Sequence, residues 1–86
     1  MKIKKQMIKR EIAGETMLVP IAESVKTLNG LFVMTETGSF IWDILEDCET
    51  QDEIVDRLLD EYEIDRQTAE KDVDKFLSAL RSYEII

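Results

Sequence analysis

The spacing of apolar positions changes near residue 35. From about residue 6 to residue 35, apolar and polar side chains alternate in short runs, which is the period of β-strands. After residue 35 the apolar positions recur every three or four residues, which is typical of amphipathic helices. The chain is therefore predicted to be an α+β domain, with an N-terminal three-stranded antiparallel sheet followed by a three-helix bundle. This order is typical of a winged helix-turn-helix.

The first two strands are predicted to form a hairpin that turns at Ala13, Gly14 and Glu15. Pro20 has no backbone N–H to donate, so it should lie near the end of the second strand or at a bulge. In the first strand, the alternation places Ile8, Arg10 and Ile12 on one face and Met7, Lys9 and Glu11 on the other. In the second strand, it places Met17, Val19 and Ile21 on one face.

The third strand follows Asn29-Gly30, the strongest short-range turn signal in the chain. It contains the run Leu31-Phe32-Val33-Met34, which is apolar on both faces. A half-exposed strand would carry one polar face, so both faces are covered or a partner covers one of them. The sequence leaves open whether residues 25–28 pair with 31–34 as an additional strand.

Helices are predicted over about 36–47, 51–63 and 66–82, and residues 83–86 form an apolar tail that docks. Thr35 or Thr37 is a candidate N-cap of the first helix, Thr50 with Glu53 fits a capping box for the second, and Asp65 caps the third. The positions predicted to form apolar stripes are Phe40, Ile41, Ile44 and Leu45; Ile54, Val55, Leu58, Leu59 and Tyr62; and Ala69, Val73, Phe76, Leu77 and Leu80.

Composition excludes most enzyme chemistry. With 86 residues the chain is expected to be a single domain, 1–86. It has no histidine, one cysteine (Cys48) and three scattered glycines, so an imidazole base, a zinc or iron–sulfur site and a phosphate-binding loop are all missing. The acidic residues between 46 and 65 are interpreted as a solvated helix face. We therefore expect a binding module without catalytic residues, metal or cofactor.

Charge and apolar runs limit the partners. The formal net charge is −8, although the first ten residues carry +5, which leaves −13 for the remainder. Such an acidic body repels nucleic acid. The longest apolar run has four residues, too few to span a membrane, and a lone cysteine fits a reducing compartment. A cytoplasmic protein without membrane or nucleic-acid partners is expected.

Residues 31–45 resemble the hallmark segment of the PqqD family (coenzyme PQQ synthesis protein D), in which an apolar strand leads through an Asn-Glu-Thr-Gly-like turn into a helix containing Ile-Trp. The hairpin at 10–14, the capping box at 50–53 and the apolar positions of the last helix also agree with the family. The chain departs from the family pattern at Thr35, where asparagine is usual, and at its end, where members often carry a glycine before the last apolar pair.

The resemblance implies a non-catalytic recognition domain for a ribosomally made precursor peptide. Such a domain binds the leader of the precursor as an added strand between the third strand and third helix, and presents the peptide to a modifying enzyme, often a radical S-adenosylmethionine enzyme. The expected peptide-binding residues are Gly30, Leu31, Phe32, Val33, Met34 and Thr35 on the strand, and Ala69, Val73, Phe76 and Leu77 on the helix.

Two alternatives remain open at this point. A winged helix can bind DNA through its last helix, which here would present Gln67, Glu70, Lys71 and Asp74 outward. A homodimer could instead pair the exposed strand edges of two copies. The sequence also does not separate core positions from groove positions on the third helix.

Overall fold

A three-stranded antiparallel sheet forms the N-terminal part of the computed structural model, which describes residues 1–20 and 32–86. Its strands are β1 (Met7–Ile12), β2 (Glu15–Pro20) and β3 (Phe32–Met34), in the order β1-β2-β3. The predicted turn at Asn29-Gly30 and the pairing of residues 25–28 with 31–34 lie outside the described residues. The predicted α+β order, a sheet followed by three helices, is confirmed.

The β1–β2 hairpin turns through two residues. Ile12 pairs with Glu15 across the strands, and the intervening Ala13 and Gly14 have φ angles of 52° and 81°. Positive φ at both central positions defines a type I′ turn, whose twist matches that of the flanking strands. Glycine adopts this conformation without steric cost, whereas the Cβ atom of alanine makes it unfavourable.

The sheet buries the face that contains Leu18, which is fully inaccessible to solvent. Leu18 pairs with Lys9 on β1 and with Phe32 on β3. The opposite face is open: the exposed fractions of Ile8, Ile12 and Val33 are 39%, 43% and 56%. Of Met17, Val19 and Ile21, the residues predicted to share one face of the second strand, Met17 and Val19 lie half-buried on this open face, and Ile21 lies outside the described residues. The alternation therefore predicted which residues share a face, but not which face is buried.

Three α-helices follow the sheet: α1 (Glu36–Ile44), α2 (Gln51–Glu61) and α3 (Arg66–Ser82), with a 3₁₀ turn at Leu45–Asp47. Each begins at a predicted cap. Thr35 Oγ1 accepts from the Gly38 N–H at 3.1 Å and Thr50 Oγ1 from the Glu53 N–H at 3.3 Å, and the Asp65 carboxylate accepts from the Thr68 N–H. A capping box would have the Glu53 carboxylate accept from a backbone N–H. In the structure, Glu53 Oε1 instead accepts from the Thr50 hydroxyl at 3.5 Å.

One apolar cluster joins the sheet to all three helices. The inward positions predicted for α3 are buried, while Phe40, Leu59 and Tyr62 pack only partly against the cluster. Its buried members are Leu18, Met34, Ile41, Ile44, Leu45, Cys48, Ile54, Val55, Leu58, Ala69, Val73, Phe76, Leu77, Leu80 and Ile85.

The C-terminal tail docks on the core through a Schellman turn. The Ile85 N–H donates to Leu80 O at 2.8 Å and the Glu84 N–H to Arg81 O at 2.9 Å, while Ile85 is fully buried. Glu84 has a φ of 59°, so it occupies the left-handed position that glycine usually takes in this turn. The sequence departs here from the pattern of the family that it resembles, in which a glycine often precedes the last apolar pair. No helix within the described ranges is both long and apolar enough to cross a membrane.

Candidate functional site

β3 is an edge strand of the described sheet. Its residues pair with β2 on one side only, through Leu18–Phe32, Met17–Val33 and Thr16–Met34. Backbone N–H and C=O groups on the other side of such a strand have no ladder partner within the described part of the chain. An edge of this kind is a template for one more strand.

A cleft of about 280 Å³ lies between β3 and α3. Its apolar lining residues are Val33, Met34, Phe76 and Ala79, of which Phe76 is 9% exposed. The opening carries Asp72 and Lys75, so groups of both charges flank an apolar floor. The full lining is Val33, Met34, Thr35, Thr37, Gly38, Asp72, Lys75, Phe76 and Ala79.

Gly38 lies at the bottom of this cleft, in the first turn of α1. A Cβ atom at this position would be 3.2 Å from both Cδ1 and Cε1 of Phe76 and 3.3 Å from Thr35 Oγ1. These separations are shorter than ordinary van der Waals contact. The ring of Phe76 thus packs directly on the backbone of α1, which only glycine allows without displacement.

Thr35 connects the edge strand to α1. Besides capping the helix, its Oγ1 lies 3.2 Å from Thr37 Oγ1. Threonine is a good N-cap residue. The departure from asparagine at this position therefore preserves the hydrogen bond that begins the helix.

The structure separates the predicted site residues into two groups. Val33, Met34, Thr35 and Phe76 line the cleft. Ala69, Val73 and Leu77 are fully buried and lie in the core rather than on the cleft surface. Gly30 and Leu31 lie outside the described residues, and Phe32 belongs to β3.

Sequence reasoning missed five residues that line the cleft: Thr37, Gly38, Asp72, Lys75 and Ala79. Three of these could have been found. Asp72 and Ala79 lie one helical turn before and after Phe76, and Lys75 is adjacent to it, so they surround the same part of α3. The contribution of Gly38 depends on how α1 meets α3, which no local pattern reveals.

A second recess of about 520 Å³ lies at the β2 side of β3, where the hairpin tip approaches α1. Phe40 and Tyr62 meet edge to face there, with ring centroids 5.7 Å apart. Partial desolvation, followed by the nearby carboxylates of Glu36 and Glu61, raises the pKa of Tyr62 above its ordinary value. Although this recess is larger than the cleft, its hairpin lining places it on the paired side of β3, so it offers no open strand edge.

Acidic side chains elsewhere do not assemble a metal site. Across residues 1–20 and 32–86, no three Cys, Asp or Glu side chains are grouped so that they could hold an ion. Cys48 is buried, with the Arg57 guanidinium 3.9 Å from its sulfur.

Together, the fold and the cleft define a winged-helix domain in which β3 is an edge strand of the described sheet and lies beside an apolar groove. The family described as coenzyme PQQ synthesis protein D (PqqD) matches residues 15–86, and the chain belongs to this family. The resemblance found in the sequence is thereby confirmed.

A solved structure of TbiB1 in complex with the TbiA(beta) leader peptide is similar to this chain. The two are 34% identical with a TM-score of 0.71, and the match covers 99% of this chain and 93% of TbiB1. No curated protein matches the chain.

Proposed function

We propose that this protein binds the leader segment of a ribosomally made precursor peptide as a fourth strand along β3. The observation that carries the proposal is the open edge of β3 beside the cleft formed with α3. Membership of the PqqD family and similarity to TbiB1, which was solved with a leader peptide, support the same function.

Strand addition explains why affinity and selectivity come from different groups. The backbone of β3 donates and accepts hydrogen bonds whatever the sequence of the peptide, and these bonds supply affinity. Alternate side chains of the added strand point toward the helices, because side chains alternate along a strand. Those side chains enter the cleft over Met34 and Phe76, and the cleft selects leaders by the size and polarity of these side chains.

The predicted site residues have two roles in this proposal. Val33, Met34, Thr35 and Phe76 contact the leader directly, as does the backbone of Phe32. Gly30 and Leu31 are also predicted contacts, and they lie outside the described residues. The other three, Ala69, Val73 and Leu77, contribute by packing under α3, which fixes the helix that forms the far wall of the cleft.

We further propose that the domain is a non-catalytic partner of a peptide-modifying enzyme, for which a radical S-adenosylmethionine enzyme is the first candidate. The chain has no histidine, and its cysteine is buried, so the residues most used in acid–base and nucleophilic chemistry are missing or inaccessible. The cytoplasm is the compartment we propose, because the lone thiol requires no oxidising environment.

The direct test is titration of ¹⁵N-labelled protein with the TbiA(beta) leader, and with the leader of any precursor peptide encoded beside its gene. We expect saturable amide shifts in β3 and in the part of α3 around Phe76. The decisive control is a set of leaders that are N-methylated at one residue each. Because successive N–H groups of a strand point to opposite edges, methylation should abolish binding at every second position and leave it unchanged between them.

Loss of binding without this period of two would contradict strand addition, as would shifts confined to other surfaces. The competing occupant of the edge is a second copy of the chain. Sedimentation of the free protein, with and without leader, distinguishes the two: a dimer through β3 dissociates when the leader binds, whereas a monomer only gains the mass of the peptide.

A further inference from the structure

The contact between Gly38 and Phe76 has no counterpart elsewhere among the described glycines. A Cβ added at Gly14 would meet nothing within 4 Å, whereas one added at Gly38 would meet two ring carbons at 3.2 Å. Gly38 is buried inside α1, and it has no positive φ that would itself require glycine. Close approach of the Phe76 ring, with Thr35 Oγ1 at 3.3 Å, is therefore the feature of this position that leaves no room for a side chain without displacement.

The Phe76 ring must give way by a few tenths of an ångström if a methyl group is added at position 38. The flanking inward residues of α3, Val73, Leu77 and Leu80, are fully buried in the core. Packed interiors resist displacement, so the side of the ring that borders the cleft is the side that can yield. A displacement of a few tenths of an ångström would then make the cleft shallower between Met34 and Ala79.

We propose that Gly38 is a positioning residue that sets the depth of the leader-binding cleft, and so the size of the apolar leader side chain that enters it. This inference rests on the proposed function. It adds that leader selectivity is controlled from α1, an element behind the ring, as well as from the cleft surface. An alanine at position 38 therefore selects leaders with smaller side chains.

The test compares Gly38→Ala with wild type against the TbiA(beta) leader and against variants of it in which each apolar residue is replaced in turn by alanine, valine, leucine or phenylalanine. At the position that enters the cleft, we expect Gly38→Ala to weaken binding of the largest side chain about tenfold and to change binding of alanine or valine little. The double variant Gly38→Ala/Phe76→Leu removes the ring atoms that the new methyl group would meet. Compared with Phe76→Leu alone, it should therefore show no further loss of binding for the large side chain.

Folding is expected to survive the substitution, because alanine is a better helix former than glycine. A uniform loss of affinity for all leaders, or no loss for any, would overturn the proposal, as would a further loss for the large side chain in the double variant relative to Phe76→Leu alone.

A ligand-free measurement keeps this inference separate from the proposed function. In Gly38→Ala the ring protons of Phe76 should shift and should show stronger nuclear Overhauser contacts to Met34. If wild type binds no leader, the proposed function fails, while this measurement still decides whether Gly38 positions the ring. An unmoved ring would refute the positioning role even if leaders bind.

Discussion

At the scale of single residues, two non-glycine positions among residues 1–20 and 32–86 adopt a conformation that favours glycine. Ala13 has a φ of 52° in the hairpin turn and Glu84 a φ of 59° after α3. Such conformations cost roughly 1–2 kcal/mol for residues that carry a Cβ atom. Surrounding structure enforces both: the strand register holds Ala13, and burial of Ile85 holds Glu84. Neither residue lies in the cleft, so both can be changed without altering the candidate site.

Replacing Ala13 should change stability in opposite directions according to the new side chain. Asn-Gly is the preferred sequence of a type I′ turn, so Ala13→Asn should raise the free energy of unfolding by about 0.5–1 kcal/mol. A β-branched residue tolerates positive φ poorly, so Ala13→Val should lower it by about 1 kcal/mol or more. Urea unfolding measures both variants. A shift of the two midpoints in the same direction would show that the turn conformation is not the cause.

Asp65 should make the N-terminus of α3 sensitive to acid. Its carboxylate accepts a 2.6 Å hydrogen bond from the Thr68 hydroxyl and another from the Thr68 N–H, which hold the pKa of Asp65 below its ordinary value of 3.8. A lowered pKa in the folded state means that the charged form stabilises the fold. This contribution is present above pH 3.8 and is lost as the pH falls through the lowered pKa.

Carboxyl NMR titration of the folded protein should therefore give Asp65 a pKa below 3.8. The substitution Thr68→Val should raise this pKa, because the hydroxyl donor is the largest cause of the shift. Asp65→Asn is the matched control, since asparagine also caps helices but does not titrate. Its stability relative to wild type should improve as the pH is lowered. A pKa of Asp65 at or above 3.8 would contradict the assignment.

At the scale of elements, the sheet is covered by helices on one face, while the described part of the chain leaves most of the other face open. Cross-strand pairing places Leu18 on the covered face and Met17 on the open one, although both lie in the same apolar run of β2. Because of this difference in burial, substitutions of Leu18 and Met17 should differ in their effect on the free energy of unfolding.

Leu18→Ala should cost about 2–5 kcal/mol of unfolding free energy, because it leaves a cavity in the core. Met17→Ala should cost about 1 kcal/mol or less, because Met17 is only half-buried. Denaturant unfolding of the two variants gives the comparison, and circular dichroism confirms that both are folded. Equal costs would mean that the open face is covered to the same degree as the core face.

Elements with local signals could be predicted from the sequence, and their tertiary relations could not. Thr35, Thr50 and Asp65 mark the helix starts because a cap depends on neighbours three residues away. By contrast, Ala69, Val73, Phe76 and Leu77 belong to one apolar stripe, and only Phe76 reaches the cleft. Its separation from the others depends on how α3 is positioned against β3, which is set by long-range packing. The ring contact of Gly38 is hidden for the same reason.

At the scale of the whole molecule, the basic N-terminal residues lie against an acidic body. Lys9 Nζ pairs with the Asp43 carboxylate at 2.7 Å, Lys5 Nζ donates to Tyr83 O at 2.8 Å, and the Lys4 N–H donates to Ile85 O. These contacts place part of the positive charge on the folded surface, where it partly compensates the acidic helices. The first ten residues therefore do not form a separate cationic arm.

This charge distribution argues against the DNA-binding alternative, which receives no support from the comparisons. On α3, Glu70 and Asp74 are exposed, and the Arg66 guanidinium is engaged by Asp56 at 3.0 Å and by Glu70 at 3.1 Å. A recognition helix needs cations to neutralise phosphates, but here Arg66 already has two carboxylate partners, and Lys71 is flanked in the sequence by Glu70 and Asp72.

We therefore expect no measurable binding of a duplex of about 20 base pairs even at about 50 mM salt, where phosphate contacts are strongest. Fluorescence anisotropy of labelled DNA makes the measurement, with the leader peptide as the positive control in the same buffer. The variant Gln67→Lys/Asp74→Lys tests the electrostatic reason: it should gain weak, salt-sensitive DNA binding while keeping its affinity for leader, since neither position lines the cleft. Saturable, salt-sensitive binding of DNA by the wild-type protein would instead restore the winged-helix alternative, with α3 rather than the β3 edge as the interacting element.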